Sequence, residues 1–298
     1  MKNKTIKIVL IIFLSLLAIA LGSFLTIVLT NKNYKLGYLN LFSNKASNQL
    51  VFNKQYDVVF NNINIESKSS NINIKKSNDS KIRVNIYGEK DKVKVNNNDD
   101  HLDITTDEKS CVGFCFNIKL ARVEIFLPEN YSGNIDIKNN YGDVNIDKFE
   151  NLILNANLDS GDIKVDSLLS GKIKNSYGDI KILGHSKKLD IEDDCGDLEI
   201  ETVDHVKAIN NYGNIKVKKV NKYLDIIDDC GDIKLDTINL NKNSKIHNNY
   251  GDIKIGTTNK IYINANTSFG DTKIKNNYRK SDITLDIGND CGDIIVNN

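Results

Sequence analysis

The sequence predicts an all-β protein: a parallel β-solenoid (β-helix) of about 18 residues per coil, preceded by one N-terminal transmembrane helix. Three observations carry this reading. Residues 8–29 form 22 consecutive uncharged, mostly apolar positions, IVLIIFLSLLAIALGSFLTIVL. From residue 131 onward, nine Gly-Asp or Gly-Asn pairs recur at steps of 17 to 22 residues. Around each pair, apolar residues stand two apart, the period of a strand with one face inward.

The composition narrows the function classes. Among 298 residues, 40 Lys and Arg face 39 Asp and Glu, a net charge of +1. That balance argues against a nucleic-acid partner, which needs a clustered basic surface. With 40% hydrophobic and 27% charged residues the chain has enough apolar content to fold.

At ~1.5 Å per residue the apolar run spans roughly 33 Å, enough for a bilayer core. Lys2, Lys4 and Lys7 precede it without an acid, which places the N-terminus inside. Ala18-Ile19-Ala20 resembles a signal-peptide cleavage site, but the run continues past it, which favours an uncleaved anchor. The expectation is a single-pass cell-membrane protein touching lipid through residues 8–29, with an extracytoplasmic C-terminal domain. Residues 1–30 are then the cytoplasmic tip and anchor, and 31–57 a polar stalk. Residues 58–130 are an irregular β region that caps the solenoid, and 131–298 the solenoid itself.

The corner pairs begin at Gly142, Gly161, Gly178, Gly196, Gly213, Gly231, Gly251, Gly270 and Gly292, at steps of 17 to 22 residues. Taking each Gly as zero, apolar residues sit mainly at −7, −5, +2 and +4, as with Leu224, Ile226, Ile233 and Leu235 around Gly231. Each unit is therefore two short strands joined at a corner, where Gly accepts φ > 0 without steric cost. Asn and Asp at −3 and −2 suit an arch, because their side chains satisfy nearby backbone groups. One unit buries too few apolar side chains to offset the entropy of ordering itself, so the units must stack. Right-handed coiling follows from the general crossover rule.

The residue before each Gly runs Tyr141, Ser160, Tyr177, Cys195, Tyr212, Cys230, Tyr250, Phe269, Cys291. In a single stacked column this alternation of large and small reads as jigsaw filling. The rival is a 36-residue coil with separate Tyr and Cys columns, which brings Cys195 beside Cys230. At +3, Lys164, Lys181, Lys216, Lys234, Lys254 and Lys273 form a stripe. It is either a basic surface for anionic polymers or lipid headgroups, or a solvated face offset by the Asp residues at +1.

Little in the sequence points to chemistry. Cys111 and Cys115 could close a small disulfide loop; Cys195, Cys230 and Cys291 read as buried thiols. Asp193, Asp194 and Asp197, or Asp228, Asp229 and Asp232, offer oxygens for calcium, yet the Gly-rich nonapeptide period is missing and arch capping is the simpler reading. No Ser/His/Asp order, phosphate loop or His pair appears, and the acids recur once per coil as a structural device would. No cofactor, metal or catalytic residue is expected.

The last copy, DIIVNN, carries Ile295 where Lys usually stands. An open strand edge with an outward apolar residue invites pairing. Ile295 is therefore expected at an interaction edge, with the terminal coil covered by an envelope protein or by a second copy. The alternative is a closing turn over Tyr278–Asn289.

The order of an alternating strand region, then ARVEIFLPENYSGNIDIKNNYGDVNI with the lone Pro128, then reiterated GDI corners, resembles the bacterial putative-adhesin domain family, a domain of unknown function. The resemblance covers residues 58–298. It implies a β-solenoid at the cell surface, often with a single N-terminal anchor, and brings no catalytic residues. Some members are encoded beside envelope-stress or antimicrobial-peptide response systems. The expected function is a non-catalytic adhesin or interaction scaffold at the cell envelope. The alternatives are a regulatory component acting on a membrane stress sensor and, more distantly, a polysaccharide-active enzyme.

Overall fold

The computed structural model describes residues 45–46, 48–107 and 119–297. The apolar run 8–29, expected to span a membrane, and the Cys111/Cys115 pair lie outside the described residues. Among the described residues, no helix is long and apolar enough to cross a membrane.

The strands before the repeat are β1 (Lys45–Ala46), β2 (Leu50–Tyr56), β3 (Asn62–Ser67), β4 (Ser70–Ser77), β5 (Ile82–Tyr87), β6 (Val93–Asn97), β7 (His101–Thr106) and β8 (Lys119–Pro128). The repeat begins with β9 (Asn134–Tyr141), β10 (Val144–Ile146), β11 (Ile153–Ser160), β12 (Ile163–Val165) and β13 (Ser170–Tyr177). Three long strands follow: β14 (Ile180–Cys195), β15 (Leu198–Tyr212) and β16 (Ile215–Cys230). Then come β17 (Ile233–Ile238), β18 (Ser244–Tyr250), β19 (Ile253–Thr258), β20 (Tyr262–Phe269), β21 (Thr272–Ile274), β22 (Thr284–Cys291) and β23 (Ile294–Val296). The helical content among the described residues is one 3-10 turn, Lys90–Lys92.

Pairing throughout the repeat is parallel, and from β9 to β19 each coil lies on the next, with local register shifts where β14, β15 and β16 turn between corners. This is the expected β-solenoid, of about nine Gly-corner turns. The alternating Ile, Leu and Val residues face inward because only that face escapes water. Leu198, Ile215, Ile233, Ile253 and Ile294 form one such buried column. Each buried side chain contributes ~1.5–3 kcal/mol.

Residues 58–130 supply two parallel coils and several antiparallel strands. β3 pairs with both β7 and β9, and β4 with both β8 and β10. β5 runs antiparallel to β8, β2 to β5, and β6 to β7. These antiparallel strands include β2, which falls within the segment read as a stalk. Residues 69–74, SSNINI, take the place of a Gly-Asp corner: Asn71 Oδ1 accepts the Asp143 N–H at 3.1 Å, the role that Asp fills in later coils.

The coils do not stack in sequence order at either end. β3–β4 comes first in the chain but lies between β7–β8 and β9–β10. The last coil, β22–β23, is inserted between β18–β19 and β20–β21. This corrects the expected open edge at Ile295, which lies between Lys254 and Lys273 in the interior of the ladder. The preceding coil, β20–β21, pairs with its far side. The physical gain is that both sides of β23 satisfy their backbone groups. The terminal edge belongs to β20 and β21.

Candidate functional site: the stacked Gly-Asp corner

Each corner is built from four columns running along the solenoid. The Gly column comes first. At Gly213 φ is +139°, and a Cβ there would collide with the Gly196 carbonyl oxygen. The coils touch backbone to backbone here, and only Gly fits the approach.

The +1 column is a continuous side-chain ladder. Asp179 Oδ1 accepts the Asp197 N–H at 3.1 Å, Asp197 Oδ1 the Asn214 N–H at 2.8 Å, and Asn214 Oδ1 the Asp232 N–H at 3.0 Å. The chain continues from Asp232 to Asp252, Asp293 and Asp271. The acid of the repeat thus supplies an acceptor that the turning backbone lacks. The backbone N–H of Asp197 and then Lys181 hold the Asp179 carboxyl below its ordinary value. Lys254 and then the Asp293 N–H do the same for Asp252.

At −3 the side chain points inward. Asn210 Nδ2 donates to the Gly213 carbonyl at 2.9 Å, and Asn175 Nδ2 to the Gly178 carbonyl at 2.8 Å and the Gly161 carbonyl at 3.2 Å. Two coils place an acid here instead. Asp193 and Asp228 are 3% and 0% exposed, and neither carboxyl oxygen has a hydrogen-bond partner. Burial pushes both carboxyls up to about 7; for Asp193 the charges of Asp194 and Asp179 add to it. Asp194 instead accepts from Asn211 at 2.7 Å, and Asp197 is engaged in the +1 ladder. The oxygens weighed for calcium therefore face different tasks, and no group of three or more His, Cys, Asp or Glu converges on a metal-sized site among the described residues.

The −1 column decides between the two coil lengths. Cys195 pairs with Tyr177 and Tyr212, and Cys230 with Tyr212 and Tyr250. One column of 17- to 20-residue coils is therefore correct. The expected jigsaw filling is not: the large members face solvent, with Tyr177 63% and Tyr212 58% exposed. The three cysteines are free and half-buried rather than buried. The inserted last coil puts Cys291 between Tyr250 and Phe269, so the large–small alternation that breaks in sequence is unbroken in space.

Much of the Lys stripe at +3 is paired with acids, closely at three positions and at 3.8–3.9 Å for Lys234 and Lys273. Lys181 pairs with Asp179 at 3.0 Å, Lys216 with Glu199 at 2.9 Å and Lys254 with Asp252 at 2.8 Å. Away from the corner, Asp204 gathers Lys222, Asn221 and His185. Burial opposes its charge, but those donors hold the carboxyl well below the usual range.

A family model, Toastrack DUF4097, matches residues 60–297. The chain belongs to the Toastrack DUF4097 family. The match takes in the irregular coils as well as the Gly-Asp repeat of this Toastrack chain. Three solved structures are similar to it. A putative adhesin from Bacteroides fragilis is 19% identical, with 85% of this chain and 99% of that chain covered and a TM-score of 0.46. A putative lipid binding protein from Parabacteroides distasonis is 14% identical, with 84% and 98% covered and a TM-score of 0.45. A putative cell adhesion protein from Clostridium sporogenes is 15% identical, with 83% and 99% covered and a TM-score of 0.21. No curated protein matches this sequence.

Proposed function

We propose that this Toastrack chain is a non-catalytic, adhesin-like interaction scaffold of the cell envelope. Residues 8–29 hold it in the membrane as a single span, with the N-terminus cytoplasmic and the solenoid outside. The observation that supports this reading is the engagement of the recurring polar groups. Coil after coil, the +1 acids and −3 amides hydrogen-bond across the corner, so they build a long uniform surface instead of a convergent cleft. A stack of like coils offers one binding unit many times, which suits extended or multivalent partners. The edge of β20 and β21, and not Ile295, is where a second copy or an envelope protein would add a strand.

Production of the full chain in a non-adherent bacterium tests both halves. The chain should stay in the membrane fraction after alkaline carbonate washing. A protease-sensitive tag at the 275–282 loop should be cut in intact cells, and the cells should gain adherence to isolated envelope material. Release by carbonate or protection of the tag removes the anchored topology. Unchanged adherence removes the scaffold role.

A further inference from the structure

The exposed aromatic column has no structural task that explains it. Tyr141, Tyr177, Tyr212, Tyr250 and Phe269 are 45%, 63%, 58%, 59% and 75% exposed. None takes part in the two ring–ring contacts found among the described residues. A ring left this open gains little from folding and adds an aggregation hazard. The column is nevertheless regular. Its members occupy every second rung, with Ser160, Cys195, Cys230 and Cys291 between them. Neighbouring strands lie ~4.8 Å apart, so successive rings are about 9.6 Å apart along a line of roughly 38 Å.

Two polar columns flank this apolar line. On one side lies the +1 ladder, nearly all Asp. On the other, at −2, neutral and acidic residues alternate. Asn211 donates to Asp194 at 2.7 Å and Asn249 to Asp229 at 2.5 Å, and each coil bearing a ring carries the neutral member. Here too the inserted coil keeps order, placing Asp290 between the coils of Asn249 and Ser268.

We propose that this edge binds an uncharged, extended β-1,4-linked glycan strand lying along the solenoid axis. In such a chain each sugar is turned about half a revolution from its neighbour, so the same apolar face recurs once per disaccharide, a length close to the ring spacing. The sugar faces are apolar and their hydroxyls project from both margins of the ribbon. A line of separate rings bordered by amides and carboxylates matches that cross-section: rings stack on alternate sugars and the flanks take the hydroxyls. The small Ser and Cys rungs leave room for the intervening sugars. Eight Asp at +1 and four at −2 outnumber the six Lys at +3, so the edge is net negative even where lysines pair with it, which sets aside anionic polysaccharides and acidic membrane surfaces. A peptide strand repeats each face at roughly 6.8 Å and falls out of step. A polyproline helix turns every ~9.3 Å and is the rival in period. However, it is recognised in grooves between aromatic residues, whereas these are open rings in a single column.

The inference rests on the scaffold reading and gives it a ligand class. The test uses the full chain in detergent, titrated calorimetrically with N-acetylchitohexaose, cellohexaose, maltohexaose, polygalacturonate and a hexaproline peptide. The two β-1,4-linked oligomers should bind; the α-linked, anionic and proline probes should not. Y177A/Y212A should weaken binding about tenfold or more, while Y177F/Y212F stays within about twofold. Both pairs should keep the wild-type circular dichroism and melting temperature, since the side chains are exposed. Equal binding by Y177A/Y212A, tighter binding of maltohexaose, or hexaproline as the only ligand overturns the proposal. If no glycan binds while cells carrying the chain still adhere, the glycan inference fails and the scaffold stands; loss of adherence in the wild type removes the scaffold itself.

Discussion

The backbone N–H of Asp293 donates to Asp252 Oδ1 at 3.0 Å, although 41 residues of chain separate the two. The intervening coil, with Asp271, lies on the far side of Asp293 and donates to it at 2.8 Å. The last coil is thus the penultimate rung, held from both sides.

Removal of residues 284–298 should therefore do more than shorten the solenoid. It leaves β18–β19 and β20–β21 facing an empty slot, with two sets of unpaired backbone groups. The truncated chain should melt at lower temperature and self-associate in sedimentation velocity. A truncated chain that stays monomeric with an unchanged melt would show the insertion to be incidental.

Gly213→Ala should destabilise by about 3 kcal/mol or more, because the new Cβ meets a backbone oxygen that cannot move without unstacking a coil. Gly288→Ala is the control. Its Cβ would meet the side chain of His247, which can turn away, so the cost should stay under about 1 kcal/mol. Equal denaturant midpoints for the two variants would contradict the close-approach argument.

At the +1 ladder, Asp197→Ala should cost about 1–3 kcal/mol by leaving the Asn214 N–H without its acceptor. Asp197→Asn should recover most of that loss, since Asn214 already performs the same task for Asp232 at 3.0 Å. Chemical denaturation of the two variants at pH 7 separates hydrogen bonding from charge; a loss as large in the Asn variant would mean that charge dominates.

Asp193 and Asp228 should make stability fall with rising pH. Their carboxyls sit at about 7 in the folded chain against an ordinary 3.8, chiefly through burial. Between those values the folded state keeps protons that the unfolded chain releases. Their contribution is therefore complete below about pH 4 and is lost as pH climbs through 7. Asp193→Asn and Asp228→Asn restore the donor that Asn175 and Asn210 supply to the glycine carbonyls. Each should raise stability above pH 7 by about 1–3 kcal/mol and flatten the profile between pH 4 and 7. Asn210 lies between the two acids, so the effects should add. A parallel, unshifted pH profile in the double variant would refute the assignment.

Much of the corner was legible in the sequence. A spacing of two between Leu224 and Ile226, and again between Ile233 and Leu235, fixes which face is buried, because strand side chains alternate. Recurrence of Gly at one interval requires a stack, since a lone unit cannot bury its apolar face. The roles of Asp at +1 and Asn at −3 were visible only as a need for local polar groups. Each such Asn has one local partner, the glycine three residues on, but its second partner lies on another coil, 14 residues back for Asn175. The +1 acceptors serve N–H groups 17 to 41 residues away, and a sequence alone does not print register.

By itself, then, the chain determined the β period, the spacing of the corners and the need to stack, since these follow from side-chain alternation and local turn geometry. Which of the two coil lengths applies was settled by the pairing of Cys195 with Tyr177 and Tyr212. The tertiary structure decided the order of the coils and the direction of the −1 column. Placing Cys291 between Tyr250 and Phe269, and turning the rings outward, depends on which edges pair. That choice is made by backbone hydrogen bonds between distant segments, and its one trace in the sequence is the break in the large–small alternation at Tyr250 and Phe269, which becomes readable only once the pairing is known.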